Sequence, residues 1–370
     1  MSARFLTVVL ERAFNMRDGF GREIDYMRIS VIDSCNLNCY YCNPCDNNEH
    51  CHALNILSVK EVLCIVRAAT RLGITHFRLT GGEPLLHPQL DEMVLQIKKI
   101  PGVSSVSLTT NAVLLVQHAK WLKEAGIDSI NVSLDTIDAS EYERITKKPL
   151  LEEVKHGINA AIECGIRVKI NVVLTPQTDV VALTRYVAKK GTDIRFIEMM
   201  PVGEGHTNGV EPYKKVIGTL SKLYGEPCRI NTEKTKEINS GNDKRKIPDN
   251  GPAEYYIFPE LGIRVGLIQA IHGKFCDTCN RIRVTADGRL MPCLGSSVTM
   301  DLVPDSWDFA DDVEKDFAIV RALRAAIKAK PRCHNFNDNA VTYTKTTETK
   351  TTEIEAAEVN AARNMSRIGG

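Results

Sequence analysis

Five times in the first two hundred residues, a segment with helical spacing ends at a glycine and a short β-branched run follows. Gly73 precedes Ile74–Thr80, Gly102 precedes Val103–Thr110, and Gly126 precedes Ile127–Leu134. Gly165 then precedes Ile166–Leu174, and Gly191 precedes Thr192–Met199. Glycine just past a helix end supplies the left-handed conformation that stops it. With Tyr26–Ile32 as an opening strand, the chain reads as six βα units. Such alternation dictates a parallel sheet with right-handed crossovers. The runs are short and largely apolar, as buried parallel strands are. The helical segments carry their own signals. Ser58 and Glu61 form a capping-box pattern, and Val59, Val62, Leu63, Val66 and Ala69 then share a face. Leu90, Met93, Val94 and Ile97 do the same. Six units fit a partial barrel of the TIM type or an open doubly wound sheet, and order alone does not separate the two.

The pattern changes after Met200. Pro201, Gly203 and Gly205 break the chain, and Lys234–Pro252 has the composition of a surface loop. Short β-like runs follow at Glu254–Phe258, Arg264–Ile268 and Arg281–Thr285, then a helical segment at Val313–Lys330. Thr342–Glu355 is a low-complexity Thr/Lys/Glu stretch. The 370 residues allow roughly two domains at about 150 residues each. The expected division is 1–203, 204–341 and a flexible tail at 342–370. Lys and Arg total 47 against 46 Asp and Glu. A net charge of +1 argues against a bulk nucleic-acid or membrane-surface binder. No apolar run approaches the ~20 residues of a membrane span, and Met1–Arg12 lacks a signal-peptide layout. A cytoplasmic protein without nucleic-acid or membrane partners is expected.

Twelve cysteines in such a chain point to metal before disulfides. Six fall in two tight groups: Cys35, Cys39 and Cys42, directly after the first strand, and Cys276, Cys279 and Cys293. Structural zinc and ordinary 4Fe–4S clusters each take four protein ligands. Three thiolates therefore leave one metal position open for chemistry. The spacing also fits a zinc loop that recruits Cys45, His50, Cys51 or His52, and the second group also fits half a zinc ribbon. Beside the second group, Arg281 and Arg283 share one strand face. Arg28, Arg78, Lys169 and Arg195 sit inside otherwise apolar strands. A buried cation without a partner is costly, so together they argue for a shared anion. Phosphate is the natural guess, because the guanidinium fork pairs with it.

The Cys-x3-Cys-x-Tyr-Cys pattern, with Tyr41 before the last cysteine, resembles the signature of the radical S-adenosylmethionine (SAM) superfamily. Thr80-Gly81-Gly82-Glu83-Pro84 and Ser133-Leu134-Asp135 end strands where supporting motifs belong. In barrel enzymes such ends carry the active site. The two glycines are expected to let backbone approach a ligand, and Glu83 to accept from the amino group of SAM. Asp18–Arg22, Arg28, Thr109-Thr110-Asn111, Asn131–Asp135, Lys169–Val173, Arg195–Met200, Phe275–Arg283 and the terminal Gly369-Gly370 extend the likeness. The whole set resembles the GTP 3′,8-cyclases of molybdenum cofactor biosynthesis, from about Asp18 to Cys293 and again at the tail.

That resemblance implies an incomplete (β/α)6 TIM-type barrel whose open side is covered by a C-terminal α+β region. It implies two 4Fe–4S clusters and SAM as cofactors. Cys35, Cys39 and Cys42 would hold the first cluster, and Cys276, Cys279 and Cys293 the second. Tyr41, Gly82, Glu83, Ser133 and Met200 would contact SAM. Arg28, Arg78, Thr109, Lys169, Arg195, Arg281, Ile282 and Arg283 would contact GTP. Arg281 and Arg283, with Gly369 and Gly370 at an inserting tail, would serve catalysis. The implied reaction removes the C3′ hydrogen of GTP and joins that carbon to C8, giving 3′,8-cyclo-7,8-dihydro-GTP. An electron donor, a downstream cyclic pyranopterin monophosphate synthase and a homodimer are implied as partners. Two positions depart from the family pattern: His76 stands where Lys is usual, and Ala112 where Gly is usual. Rival readings are a two-cluster peptide or sulfatase maturase and a non-enzymatic zinc protein.

Overall fold

The computed structural model describes residues 16–42, 55–202, 210–230, 251–296, 298–302, 312–334 and 336. Gly369, Gly370, residues 342–370 as a whole, and Cys45, His50, Cys51 and His52 lie outside the described residues.

Six strands occur where the βα periodicity predicts them: β1 (Tyr26–Ser30), β2 (His76–Thr80), β3 (Ser105–Thr110), β4 (Ser129–Ser133), β5 (Val168–Val173) and β6 (Asp193–Ile197). Helices α1 (Val59–Thr70), α2 (Leu90–Lys98), α3 (Leu115–Glu124), α4 (Ala139–Thr146), α5 (Leu151–Glu163) and α6 (Val180–Lys189) connect them. The capping box of α1 is complete: the Glu61 amide donates to Ser58 Oγ at 3.3 Å, and the Ser58 amide donates to Glu61 Oε2 at 2.6 Å. The five helix-ending glycines all take the left-handed conformation, with φ between +63° and +91°.

Strand order decides between the two candidate architectures. β1 to β6 pair in sequential order, all parallel. A doubly wound sheet would reverse order at a switch point, so this is the barrel type of winding. The C-terminal region continues the same sheet at both ends. β10 (Arg281–Val284) pairs parallel with β1, and β9 (Arg264–Ile268) pairs parallel with β6. Antiparallel strands finish each edge. β11 (Arg289–Met291) and β12 (Met300–Asp301) lie beyond β10, while β8 (Glu254–Ile257) and β7 (Cys228–Ile230) lie beyond β9. β7 and β12 do not pair with each other, so the barrel stays incomplete. Helix α7 (Gly218–Tyr224) packs on α6. Helix α8 (Asp312–Lys328) packs on α1, where Asp316 meets Arg71 at 2.9 Å and Arg67 at 3.7 Å.

The strands are not the uniformly apolar runs expected of a filled parallel core. Met27, Ile29, Phe77, Leu79, Val106, Leu108, Ile130, Val132, Ile170, Ile194 and Phe196 are fully or almost fully buried in the hydrophobic core. The alternate positions are polar: Arg28, His76, Arg78, Ser107, Thr109, Ser129, Asn131, Lys169, Asn171 and Arg195. All ten line one interior cavity of about 640 Å³. Period-two alternation thus puts one face under the helices and the other around a hollow. Most barrels fill that interior with branched side chains; this one keeps it polar and open.

Candidate functional site

The first cysteine trio sits on the segment leaving β1, and two neighbouring strand ends hold that segment in place. Gly82 N donates to the Ile32 carbonyl at 2.7 Å, and Glu83 N to the Ser34 carbonyl at 2.8 Å. A Cβ on Gly82 would overlap the carbonyl oxygens of Asp33 and Ser34, and one on Gly81 that of Ile32. The glycine pair therefore admits the chain's own backbone on one side, while both residues also line the cavity. Glu83 lies at the cavity wall, buried, and its oxygens accept from Thr110 Oγ1 at 2.6 Å, Asn111 N at 2.7 Å and Leu85 N at 3.0 Å. Burial pushes its carboxyl up to about 7 despite those donors. Tyr41 donates its phenolic hydrogen to Asp135, whose other oxygen accepts from Val173 N at 2.7 Å. Burial raises Tyr41 well above its ordinary range and pushes Asp135 up to about 6.

The second trio is held from three directions. Arg22, from the segment preceding β1, donates to the carbonyls of Cys276 at 2.7 Å, Arg332 at 2.8 Å and Pro331 at 2.6 Å. Asp18 orients that guanidinium at 2.6 Å. Lys330, buried just beyond α8, donates to the carbonyls of Arg281 at 2.7 Å and Pro292 at 2.8 Å. His334 lines the same region, paired with the Ala270 carbonyl at 2.8 Å and stacked near Phe336.

Both trios open into the same cavity between the strands. Its wall between them is cationic. Register sets Arg283, Arg28 and Arg78 side by side on β10, β1 and β2. Arg281 lies over the Phe275 ring at 5.1 Å, and Arg78 Nε donates to the Tyr26 hydroxyl. Arg195 Nε donates to Asn171 Oδ1 at 2.9 Å, while its Nη2 is buried without a partner, as is Nε of Arg281. Gly266 on β9 leaves the space that the Arg195 side chain fills. Burial and the neighbouring Arg283 hold Arg28 well below the usual guanidinium range, and burial with Arg281 brings Arg283 down to about 10.

The donor sets suit iron–sulfur clusters with SAM. Each trio gathers three thiols at the cavity wall, with Cys39 in electrostatic contact with Cys42 and Cys35, and Cys276 with Cys293 and Cys279. Burial pushes Cys35 up to about 11 and raises Cys39 and Cys42 as well. At Cys279, Arg281 and Lys330 outweigh burial and lower the thiol. Among the described residues no three His, Cys, Asp or Glu side chains are arranged to hold a single metal ion.

The radical SAM superfamily model matches residues 29–182, and the Molybdenum Cofactor Synthesis C model matches residues 192–336. A curated "GTP 3′,8-cyclase" of Clostridium perfringens (strain SM101) is 35% identical over 324 residues, covering 87% of this chain and 95% of that protein. The chain belongs to the GTP 3′,8-cyclase family. A second protein of that name, from Peptoclostridium acidaminophilum, is 37% identical over 87% of this chain and 94% of its own length. Among solved structures, Streptococcus suis SuiB superposes with a TM-score of 0.54 at 15% identity, covering 81% of this chain and 65% of its own. That likeness shows the fold alone.

With the family established, the sequence-derived site residues can be placed. Cys35, Cys39, Cys42, Tyr41, Gly82, Glu83 and Ser133 all line the cavity, and so does Met200, which packs with Val202 and Met291. Arg28, Arg78, Thr109, Lys169, Arg195, Arg281 and Arg283 line the same cavity, together with Cys276, Cys279 and Cys293. Ile282 does not join them. Alternation turns its side chain to the opposite face of β10, where it is fully buried in the apolar core. Sequence reasoning missed Tyr26, Asn131, Asn171, Lys330 and His334, all on the wall. Tyr26, Asn131 and Asn171 were findable, because each stands two residues from a cation or serine already singled out on its strand. Lys330 and His334 had no local signal; only the return of the chain past α8 brings them in.

Proposed function

We propose that this chain is a radical SAM GTP 3′,8-cyclase acting in molybdenum cofactor biosynthesis. The observation that carries the proposal is the shared cavity into which both cysteine trios open, across a wall of mutually repelling arginines. A cluster-and-SAM site at one end and an anion-hungry wall leading to a second three-cysteine site suit a nucleoside triphosphate bound along the hollow.

Cys35, Cys39 and Cys42 hold the first 4Fe–4S cluster, and Cys276, Cys279 and Cys293 the second. When bound, the first cluster and SAM supply the 5′-deoxyadenosyl radical that takes the C3′ hydrogen, after which the sugar carbon closes on C8. Tyr41, Gly82, Glu83, Ser133 and Met200 shape the SAM pocket. In it Gly82 and Glu83 act by fixing the loop as well as by touching ligand. Arg28, Arg78, Lys169 and Arg195 grip the triphosphate, with Thr109 beside Arg78 at 3.4 Å. Arg281 and Arg283 face the base and sugar. The chain's contribution is positioning, charge aimed at a dry interior, and exclusion of water from a reactive carbon.

The same proposal includes a functional division at 1–203, 204–341 and 342–370, and insertion of Gly369 and Gly370 into the site. It also includes a separate electron donor, the downstream cyclic pyranopterin monophosphate synthase, a homodimer and a cytoplasmic setting. No helix among the described residues is long and apolar enough to cross a membrane. The test is anaerobic reconstitution with iron and sulfide, reduction, and quantification of 5′-deoxyadenosine with GTP, with ATP and without nucleotide. Stimulation by GTP and not ATP is expected. Equal SAM cleavage in all three would refute the substrate.

A further inference from the structure

We propose that Tyr26 is the acid that protonates N7 of the cyclised nucleotide. The inference rests on the function proposed above. Removal of hydrogen from C3′ and closure onto C8 leave an unpaired electron on the base, centred at N7. The 7,8-dihydro product carries an N7–H bond. One electron, from a low-potential one-electron donor, and one proton must therefore arrive. In the proposed step the O–H bond of Tyr26 breaks, the N7–H bond forms, and water later returns a proton to the phenolate.

Tyr26 opens β1 on the face that lines the cavity, aligned with Arg281 on β10 and His76 on β2. Arg78 Nε donates to its hydroxyl oxygen, and the guanidinium carbon lies 5.8 Å from the ring centroid. Accepting that bond uses a lone pair and leaves the phenolic hydrogen to give away. The charged or titratable groups around it are Arg28 on its own strand, Arg78 and His76 on β2, and Arg281 and Arg283 on β10. Burial opposes ionisation of the phenol. Arg78, Arg28 and Arg281 together outweigh it and hold Tyr26 below its ordinary value. A phenolate formed there is surrounded by cations.

Several other proton donors on the wall are engaged elsewhere. Tyr41 gives its hydrogen to Asp135, Glu83 is engaged by three donors beside the first trio, and Lys330 donates to the Arg281 and Pro292 carbonyls; His76, paired through Nδ1 with Ser105 Oγ at 2.8 Å, and Lys169 on β5 are the rivals that the Tyr26→Phe variant separates from Tyr26. Arg283, down to about 10, still carries its proton near neutral pH.

The test is single-turnover analysis of Tyr26→Phe in the reconstituted full chain. The variant keeps the ring under Arg78 and removes only the hydroxyl. Expected are unchanged iron and sulfide, unchanged GTP-stimulated 5′-deoxyadenosine, and a cyclised product lowered about 100-fold or more. Product that keeps pace with 5′-deoxyadenosine would overturn the proposal. Absence of GTP-stimulated cleavage in the unaltered enzyme would instead overturn the function, and this step with it. Should Tyr26→Phe also weaken GTP binding, 3-fluorotyrosine placed at position 26 decides, since it keeps the hydroxyl and the Arg78 bond. The alkaline limb of product formation is expected to move to lower pH while that of 5′-deoxyadenosine stays. An unmoved limb refutes the role.

Discussion

Glu83 shows how one buried carboxylate can organise a site from within. It ties the end of β2 to the end of β3 through Thr110, Asn111 and Leu85, and the same loop is stapled to the cysteine segment through Gly82. Burial raises its carboxyl from an ordinary 4.5 to about 7. The folded protein therefore binds this proton more tightly than the unfolded chain does. Its contribution to stability is fully present below about pH 4.3 and is lost as pH rises through about 7. In the cluster-free protein, the stability gap between wild type and Glu83→Gln is expected to narrow from about pH 5 to about pH 8. Every tenfold difference in proton affinity between folded and unfolded chain corresponds to about 1.4 kcal/mol. Thermal unfolding across that range checks this, and a constant gap would mean that Glu83 does not titrate there. The sequence marked Glu83 and the glycines as expected ligand contacts. It did not show that their partners were the chain's own backbone, because those contacts join segments about fifty residues apart.

Elements tell a similar story at larger scale. The helix–glycine–strand repeat located every strand of the barrel wall to within two residues, since caps and periodicity are local. What the periodicity obscured was the polar face. Strands this short look apolar on average, yet each alternates, and the cations at Arg28, Arg78, Lys169 and Arg195 were its visible part. The docking of α8 on α1 was illegible because it depends on a return across the whole chain. That return delivers Lys330 to the second trio. Lys330→Met would leave two buried carbonyls unsatisfied, at about 1–3 kcal/mol each. The second trio is expected to lose its iron while the first keeps it, read as iron per chain and by spectroscopy of the reduced protein; full iron content would contradict it. Ala112 is the other departure with structural content. It is buried with φ +66°, a conformation that costs an alanine about 1–2 kcal/mol. Glycine there would relieve that cost but lose a buried methyl worth about 0.8 kcal/mol and add unfolded-state entropy. Ala112→Gly is expected to change stability by less than about 1 kcal/mol and leave cluster content intact, as calorimetry and iron analysis would show.

At the scale of the molecule, the C-terminal region is less an added domain than the two missing edges of one sheet. β10 and β9 extend the barrel wall in register from either side, and β10 brings Arg281 and Arg283 beside Arg28. That continuity is what places the two cysteine trios on one hollow. The central claim is that the radical and the nucleotide meet inside it. GTP carrying deuterium at C3′ tests this directly, by mass analysis of the 5′-deoxyadenosine formed in one turnover. A single deuterium in the methyl group of that product is expected. Cyclised product accompanied by unlabelled 5′-deoxyadenosine would contradict it.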